Sequence, residues 1–195
     1  EAFIALFETT GQKNWLEQAL EFATTALNEF YHHQNSVFYF TGKQQENLIS
    51  RTVELHDNVI PSSNSVMAMN LFKLAWLLDR PDFLETARQM TGRISDNILQ
   101  YPSGYSNWLQ LLMNQSGDHF EVVITGPDAL KKLAEMQKHY LPHVVFCAAT
   151  EDNGLPLLKN RFSGDRTLIY VCQNRSCQLP VESVDEALSI LLKRS

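Results

Sequence analysis

The chain has 195 residues, 44% of them hydrophobic, and its 16 basic and 22 acidic side chains give a net charge of −6. This hydrophobic content is ordinary for a globular protein and excludes a disordered chain. The acidic balance and the absence of basic runs argue against nucleic acid or an anionic membrane surface as a partner. No segment is apolar over the roughly 18 residues that a membrane span requires. Three cysteines are too few for a disulfide framework, so we expect a reducing, cytoplasmic environment.

Residues 1–116 have the apolar spacing of helices. Glu1–Phe7 is typical of a helix end and lacks both an initiator Met and a signal peptide, so we expect a fragment of a longer protein. A helix with one buried face is predicted from Trp15 to Tyr31, followed by a short extended segment at Ser36–Thr41. The helix predicted at Ser62–Asp79 is apolar nearly all round, which indicates burial on all sides.

A one-sided helix is predicted to begin at Pro81, with its apolar stripe ending at Ile98. A fourth helix, capped at Ser103 or a near neighbour, carries Tyr105 and Trp108. One-sided helices thus alternate with buried ones. This alternation favours helical hairpins in two concentric layers over a plain four-helix bundle.

Residues 117–195 are predicted to form a small α/β module. The apolar runs Phe120–Thr125 and His143–Ala149 flank a helix at Asp128–Lys138, which predicts a parallel β-α-β unit. A third strand is predicted at Thr167–Cys172. Ser183 and Glu186 have the spacing of a capping box and predict a helix that ends the chain. The expected fold is therefore mainly α, with helical hairpins in 1–116 and the α/β module in 117–195.

A polar cluster precedes the buried helix. His56, Asp57 and Asn58 lead through Pro61 into a serine- and asparagine-rich start. Free backbone N–H groups and the helix dipole favour anions there, and a carboxylate beside a histidine suits general acid–base work or the binding of a polyhydroxylated ligand. The alternative is structural, because turn formation and helix capping account for most of these residues. Arg51 and Glu54 upstream add charge or simply pair with each other.

Aromatic side chains offer a second candidate feature. Tyr105 and Trp108 lie at the start of a predicted inner helix, where they are suited to stacking on sugar rings, although core packing is the commoner fate of such residues. The histidines and cysteines lack metal-ligand spacing, and we predict neither a metal nor another cofactor. Cys172 and Cys177 straddle an Asn-Arg-Ser turn and face each other if that turn closes a hairpin; the alternative is two ordinary thiols.

One segment, ISRTVELHDNVIPSSNSVMAMNLFKLA at 49–75, resembles the signature of the large thioredoxin domain-containing proteins, a family that includes the spermatogenesis-associated protein of animals and its bacterial relatives. FYFTG at 38–42, YSNWLQLL at 105–112 and YVCQNRSCQLP at 170–180 fit the C-terminal third of such a protein. The chain departs from the family pattern at Val53 and Ser63, where Lys and Gly are common, and in the lead-in at 31–36.

The resemblance implies a thioredoxin-like domain followed by an (α/α)6 toroid of the six-hairpin glycosidase and N-acylglucosamine-epimerase type. This chain would then hold part of the toroid. A first hypothesis is carbohydrate binding or modification, with Asp57 and His56 catalytic. The ligand-binding residues would be Arg51, Glu54, Asn58, Asn64, Tyr105 and Trp108.

A second hypothesis is a non-catalytic scaffold attached to a thioredoxin-like redox domain. The expected partners are a small ligand such as a sugar and the missing N-terminal domains of the same protein. A partial toroid exposes its inner layer, so the chain either forms homo-oligomers or packs its helices against the α/β module. We expect the fragment to be inactive alone. A side hypothesis is that Cys172 and Cys177 form a reversible disulfide, although two ordinary thiols are the commoner outcome.

Overall fold

The computed structural model describes residues 1–44, 51–117 and 119–192. Within these ranges the helices are α1 (Ala2–Thr10), α2 (Lys13–Glu29), α3 (Ser63–Leu78), α4 (Pro81–Gln100), α5 (Ser106–Ser116), α6 (Ala129–Met136) and α7 (Val184–Leu192). Two short 3-10 helices are present at Pro102–Tyr105 and Pro156–Leu158. The strands are β1 (Tyr31–His32), β2 (Val37–Phe38), β3 (Phe120–Thr125), β4 (Val144–Ala149), β5 (Leu168–Gln173) and β6 (Ser176–Cys177). Ile49 and Ser50 of the family signature and Asp118 of the predicted boundary lie outside the described residues.

The expected fold class is wrong. The described residues form an α/β fold with seven α-helices, a two-stranded sheet and a four-stranded mixed sheet, not a mainly α array of toroid hairpins. Most individual elements agree with their predictions, so the error lies in the assembly. Apolar periodicity reports how much of a helix is covered, but not which element covers it.

Backbone contacts divide the chain into two compact units, which we describe separately. Unit 1 consists of Glu1, Glu17–Ala75 and Arg80–Ser116. Unit 2 consists of Ala2–Leu16, Trp76–Asp79 and the residues from Gly117 onward.

Unit 1 combines helices with one antiparallel β-hairpin. β1 and β2 pair with Tyr31 opposite Phe38, and the two ring centroids lie 4.9 Å apart. Within α3, no residue from Asn64 to Leu78 is exposed, which confirms a helix that is buried nearly all round. α4 is buried on one side only, as predicted, along the stripe Phe83, Ala87, Met90, Thr91, Ile94 and Ile98.

Unit 2 is built on the four-stranded sheet, in the order β4-β3-β5-β6. β3 and β4 are parallel and joined through α6, which confirms the predicted β-α-β unit, and β5 is antiparallel to β3. α6 and α7 contribute to a core on one face of the sheet, together with the β-strand residues Val122, Ile124, Val144, Phe146, Ala148, Ile169 and Val171. The capping box at α7 is confirmed, since Ser183 Oγ accepts from Glu186 N at 3.2 Å and Glu186 Oε2 accepts from Ser183 N at 3.3 Å.

α1 belongs to unit 2, which the sequence did not indicate. Glu8 is buried and its Oε1 accepts a hydrogen bond from Phe146 N on β4 at 3.3 Å. Its backbone carbonyl accepts from Gln137 Nε2 at 2.7 Å. β4 is an edge strand, and unpaired edges invite pairing with other chains. α1 therefore satisfies part of an otherwise open sheet edge.

No helix in the described ranges combines the length and the apolar character needed to cross a membrane. The predicted cytoplasmic location stays a prediction.

Candidate functional site

The candidate site is the polar cluster before α3, and Asp57 is its central residue. The Asp57 side chain is only 7% exposed. Its Oδ1 accepts from Ser62 N at 3.0 Å and from Ser65 Oγ at 2.6 Å, and its Oδ2 accepts from Asn107 N at 2.8 Å. Both carboxylate oxygens are therefore engaged by protein donors.

These donors lie at the starts of two helices. Ser62 immediately precedes α3, and Asn107 is the second residue of α5. The first N–H groups of a helix have no partner within the helix, and the helix dipole is positive at that end. One carboxylate thus stabilises the N-termini of α3 and α5 together. The predicted cap of the fourth helix at Ser103 is replaced here by a residue some fifty positions upstream.

Ser62 acts as the N-cap of α3, as the structural interpretation of the cluster predicts. Its hydroxyl accepts from Ser65 N at 3.1 Å and donates to the Leu55 carbonyl at 3.3 Å. Ser62 and Ser65 are both fully buried. Ser65 belongs to the serine- and asparagine-rich start of the predicted helix, and its hydroxyl makes the shortest contact to Asp57, at 2.6 Å.

Asn64 joins the cluster to the β-hairpin. Its Oδ1 accepts from Phe38 N at 2.7 Å, while its Nδ2 donates to the Phe38 carbonyl and to the Glu54 carbonyl, both at 2.9 Å. The side chain is fully buried. Its polar atoms are therefore occupied by backbone groups.

Tyr105 and Trp108 are each 1% exposed. Trp108 Nε1 donates to the Leu55 carbonyl at 2.8 Å. The Tyr105 hydroxyl lies 2.8 Å from His56 Nε2, and the two ring centroids are 4.9 Å apart. The polar tips of both rings thus bind the segment that carries Asp57.

The remaining predicted residues lie at the margin of this cluster. His56, Glu54 and Asn58 are exposed, and Glu54 takes part through its backbone carbonyl. Arg51 binds Thr41 through both the Thr hydroxyl, at 3.2 Å, and the Thr carbonyl, and its guanidinium lies 4.4 Å from the centre of the Tyr39 ring. The structure thus gathers Asp57, Asn64, Tyr105, Trp108 and His56, while Arg51 contacts a different group of residues.

The cysteine pair lies in unit 2. Cys172 and Cys177 are opposite each other across β5 and β6, and their sulfur atoms are bonded. Two charged residues accompany them that we did not single out from the sequence, Glu121 and Arg161. Glu121 had a signal, because a carboxylate interrupts the apolar run of β3; Arg161 had none.

The fold and the cluster define an α/β protein with a buried polar junction, formed by Asp57, Ser62, Asn64 and Ser65. This junction caps the N-termini of α3 and α5 and holds the β1-β2 hairpin. In the described ranges, no group of three His, Cys, Asp or Glu side chains has an arrangement that could hold a metal ion.

Comparison with known proteins gives one consistent similarity. The chain is 27% identical over 198 residues to Spermatogenesis-associated protein 20 of Rattus norvegicus and 25% identical to the Homo sapiens protein of the same name. Each alignment covers 95% of this chain and 25% of the relative. An uncharacterised protein of Caenorhabditis elegans is 22% identical over 95% of the chain and 26% of its own length. No protein-family model matches.

The chain thus spans about a quarter of the length of the curated relatives it matches. The shared name is consistent with the family that the signature at 49–75 resembles. It carries no information on a carbohydrate activity.

Proposed function

We propose that this chain is a non-catalytic structural and interaction domain of a longer protein, as in the scaffold hypothesis. The observation that carries the proposal is that both oxygens of the buried Asp57 carboxylate are engaged, accepting three hydrogen bonds from protein donors between them. A general acid or base must reach the substrate proton directly or through one water. A carboxylate that binds two helix starts has little capacity left for that task.

The aromatic residues support the same conclusion. A stacking platform needs an exposed ring face, but Tyr105 and Trp108 are each only 1% exposed. They pack inside unit 1 and orient the loop that carries Asp57. The carbohydrate hypothesis stays a prediction, and the exposed His56, Glu54 and Asn58 are the residues through which it would have to act.

An apolar loop tip supplies the interaction surface. Val59 is 97% exposed and Ile60 71% exposed. The loop is held on one side by Asp57 and on the other by Ser62, and Asn58 N donates to the Ile60 carbonyl at 3.0 Å. Single exposed apolar residues are common, whereas two adjacent ones on an anchored loop mark a candidate contact.

We assign this contact to another part of the same longer protein. The relatives are about four times as long as this chain, so a large part of such a protein is available to cover the loop. Whether the chain also forms homo-oligomers stays a prediction.

The first test is Asp57→Asn, with Asp96→Asn on the exposed face of α4 as the matched control. The amide turns an N–H₂ group toward at least one donor and removes the charge. We expect a loss of about 2–4 kcal/mol in the free energy of unfolding, since hydrogen bonds to charged groups contribute about 1.5–3 kcal/mol each. The control should change stability by less than about 0.5 kcal/mol.

Urea denaturation measures both variants. A stable Asp57→Asn protein that had lost binding to a carbohydrate array would refute the structural role and favour the first hypothesis.

The second test concerns the loop tip. In the longer protein, produced as two separate chains split at the N-terminus of this domain, the double variant Val59→Ser, Ile60→Ser should reduce co-purification of the two chains. Leu99→Ser, at an exposed apolar position on α4, is the control. Equal co-purification of both variants would argue against a contact at the loop.

A further inference from the structure

The face of the unit 2 sheet that points away from the α6 and α7 core carries reactive side chains. Residues alternate between the two faces of a strand. Because Val122 and Ile124 of β3 lie in the core, Glu121 lies on the opposite face, next to its cross-strand partner Cys172 on β5. Cys177, as the cross-strand partner of Cys172, lies on the same face, and Arg161 contacts both cysteines there.

The cysteines flank a tight hairpin. β5 and β6 are connected by Asn174 and Arg175, which have φ angles of 50° and 66°. Two successive residues with positive φ are typical of a type I′ turn. Arg175 carries a full side chain in this conformation, which costs on the order of 1 kcal/mol. Cys172 and Cys177 occupy the next pair outside the turn's closing pair, where side chains of opposite strands approach closely.

The two sulfurs differ in access. Cys172 is 1% exposed, whereas Cys177 is half-buried at the end of the edge strand β6. An incoming thiolate therefore reaches Cys177 first.

The positively charged guanidinium of Arg161 contacts both sulfur atoms. Its Nη2 lies 3.0 Å from Cys177 Sγ and 3.9 Å from Cys172 Sγ. The guanidinium is held by the Leu157 carbonyl, and the Arg161 carbonyl accepts from Thr125 Oγ1 at 2.7 Å and from the Tyr170 hydroxyl at 2.8 Å. Arg161 is thus fixed at its backbone and at its charged end.

Glu121 is a buried carboxyl beside this pair. It is 0% exposed; its Oε2 accepts from Arg175 N at 3.1 Å, and its Oε1 has no hydrogen-bond partner among the described residues. Burial raises the pKa of Glu121, an effect opposed by Arg175 and Arg161. The Arg175 side chain itself pairs with Asp79. Glu121 is thus a buried acid at the cross-strand position of Cys172, with one oxygen unengaged among the described residues.

We propose that Cys172 and Cys177 are a redox-active pair that undergoes exchange with dithiols, in which Arg161 stabilises the thiolates and Glu121 supplies a proton to Cys172. A structural disulfide needs neither a cation on its sulfur atoms nor a buried acid beside them. Cations next to a cysteine stabilise its thiolate, which is both the nucleophile and the leaving group of disulfide exchange.

The reduction balances with one dithiol. A thiolate of the dithiol attacks Cys177 Sγ, the Cys172–Cys177 bond breaks, and Cys172 leaves as a thiolate that takes a proton from Glu121. The second thiolate of the dithiol then attacks the other dithiol sulfur, which is bonded to Cys177 in the mixed disulfide. Cys177 leaves as a thiolate beside Arg161. Two electrons pass from the dithiol to the protein, the dithiol becomes a disulfide, and the two protons it released to solvent restore Glu121 and protonate Cys177.

The first experiment counts thiols in the intact native chain before and after reduction. Dithiothreitol serves as a small dithiol and reduced thioredoxin as a protein dithiol, and a maleimide reagent reports thiols by mass. The chain has three cysteines. We expect Cys177 to become reactive in the folded protein after reduction, because Cys172 is buried. The total counted after unfolding should rise from one thiol to three, and the disulfide should re-form after oxidant is added. The faster reductant identifies the kind of dithiol, and a pair that resists both until urea unfolds the protein would overturn the proposal.

Cys147 is the internal control. It is 1% exposed, and burial raises the pKa of its thiol to about 12, so it should stay unmodified in the folded protein.

The second experiment separates the proposed role from mere packing. Arg161→Gln should slow alkylation of reduced Cys177 at pH 7 by about threefold for each unit by which the thiol pKa rises, because nucleophilicity partly offsets the loss of thiolate. Arg161→Lys should retain most of the wild-type rate. Glu121→Gln should slow reduction of the disulfide without changing alkylation of Cys177. Alkylation of Arg161→Gln at the wild-type rate would overturn the role of Arg161. Reduction of the disulfide in Glu121→Gln at the wild-type rate would overturn the role of Glu121.

Discussion

Asn64→Ala offers the sharpest test of the junction in unit 1. The variant removes one acceptor and two donors from a fully buried position. It leaves the Phe38 N–H, the Phe38 carbonyl and the Glu54 carbonyl without their partner. Asn64 was predicted as a ligand-binding residue, so the result separates a structural role from a binding role.

The magnitude follows from these three bonds. A typical hydrogen bond contributes about 1 kcal/mol net, and each buried group left unsatisfied costs about 1–3 kcal/mol. We therefore expect a loss of about 3–5 kcal/mol, a large share of the roughly 5–15 kcal/mol that stabilises a typical protein. Asn64→Asp keeps the size and the acceptor but turns an oxygen toward two carbonyls, so it isolates the contribution of the donors.

Urea denaturation followed by tryptophan fluorescence measures the effect. With a urea dependence of about 2 kcal/mol per molar, the midpoint of Asn64→Ala should fall by about 2 M. Asn97→Ala, at an exposed position on α4, is the control and should shift the midpoint by less than about 0.3 M. A shift of Asn64→Ala as small as that of the control would refute the structural role of the side chain.

Two further predictions concern unit 2. Gly126 has φ +115°, and a Cβ there would overlap the Arg166 carbonyl and lie 2.8 Å from Thr167 Cα. Gly126→Ala should therefore lower the free energy of unfolding, measured by urea denaturation, by about 3 kcal/mol or more. Gly154→Ala, at φ +80° with nothing within 4 Å of its Cβ, should show the backbone strain alone, and an equal loss in both variants would contradict the predicted overlap. Glu121 has a pKa raised by burial, so its contribution to stability is full below its unfolded pKa and is lost as the pH rises through the higher folded value. Glu121→Gln should therefore gain stability relative to the wild type as the pH rises from about 4 to 8 in urea titrations, whereas a constant difference would show that Glu121 does not titrate in that window.

Local sequence patterns predicted the elements because the signals themselves are local. The stripe of α4, the capping box of α7 and the β3-α6-β4 unit each depend on residues a few positions apart or on a crossover of ordinary length. Composition could not show that α1 covers the edge of β4, because Glu8 and Phe146 are 138 positions apart. The expectation of a toroid failed for the same reason. The alternation of fully and partly buried helices does not identify the element that buries them.

The candidate site illustrates the same limit at the level of chemistry. A polar cluster at a helix start has the same composition whether it binds a ligand or another helix. The difference is the number of free hydrogen-bonding positions, and Asp57 loses one of them to Asn107 N, 50 positions away. Glu121 shows the opposite case, because one of its buried oxygens has no partner among the described residues. Unsatisfied buried groups are rare and call for an explanation, whereas satisfied ones are the rule. Together with the contacts of Arg161 to both sulfur atoms, this Glu121 oxygen directs the search for chemistry to Cys172 rather than to Asp57.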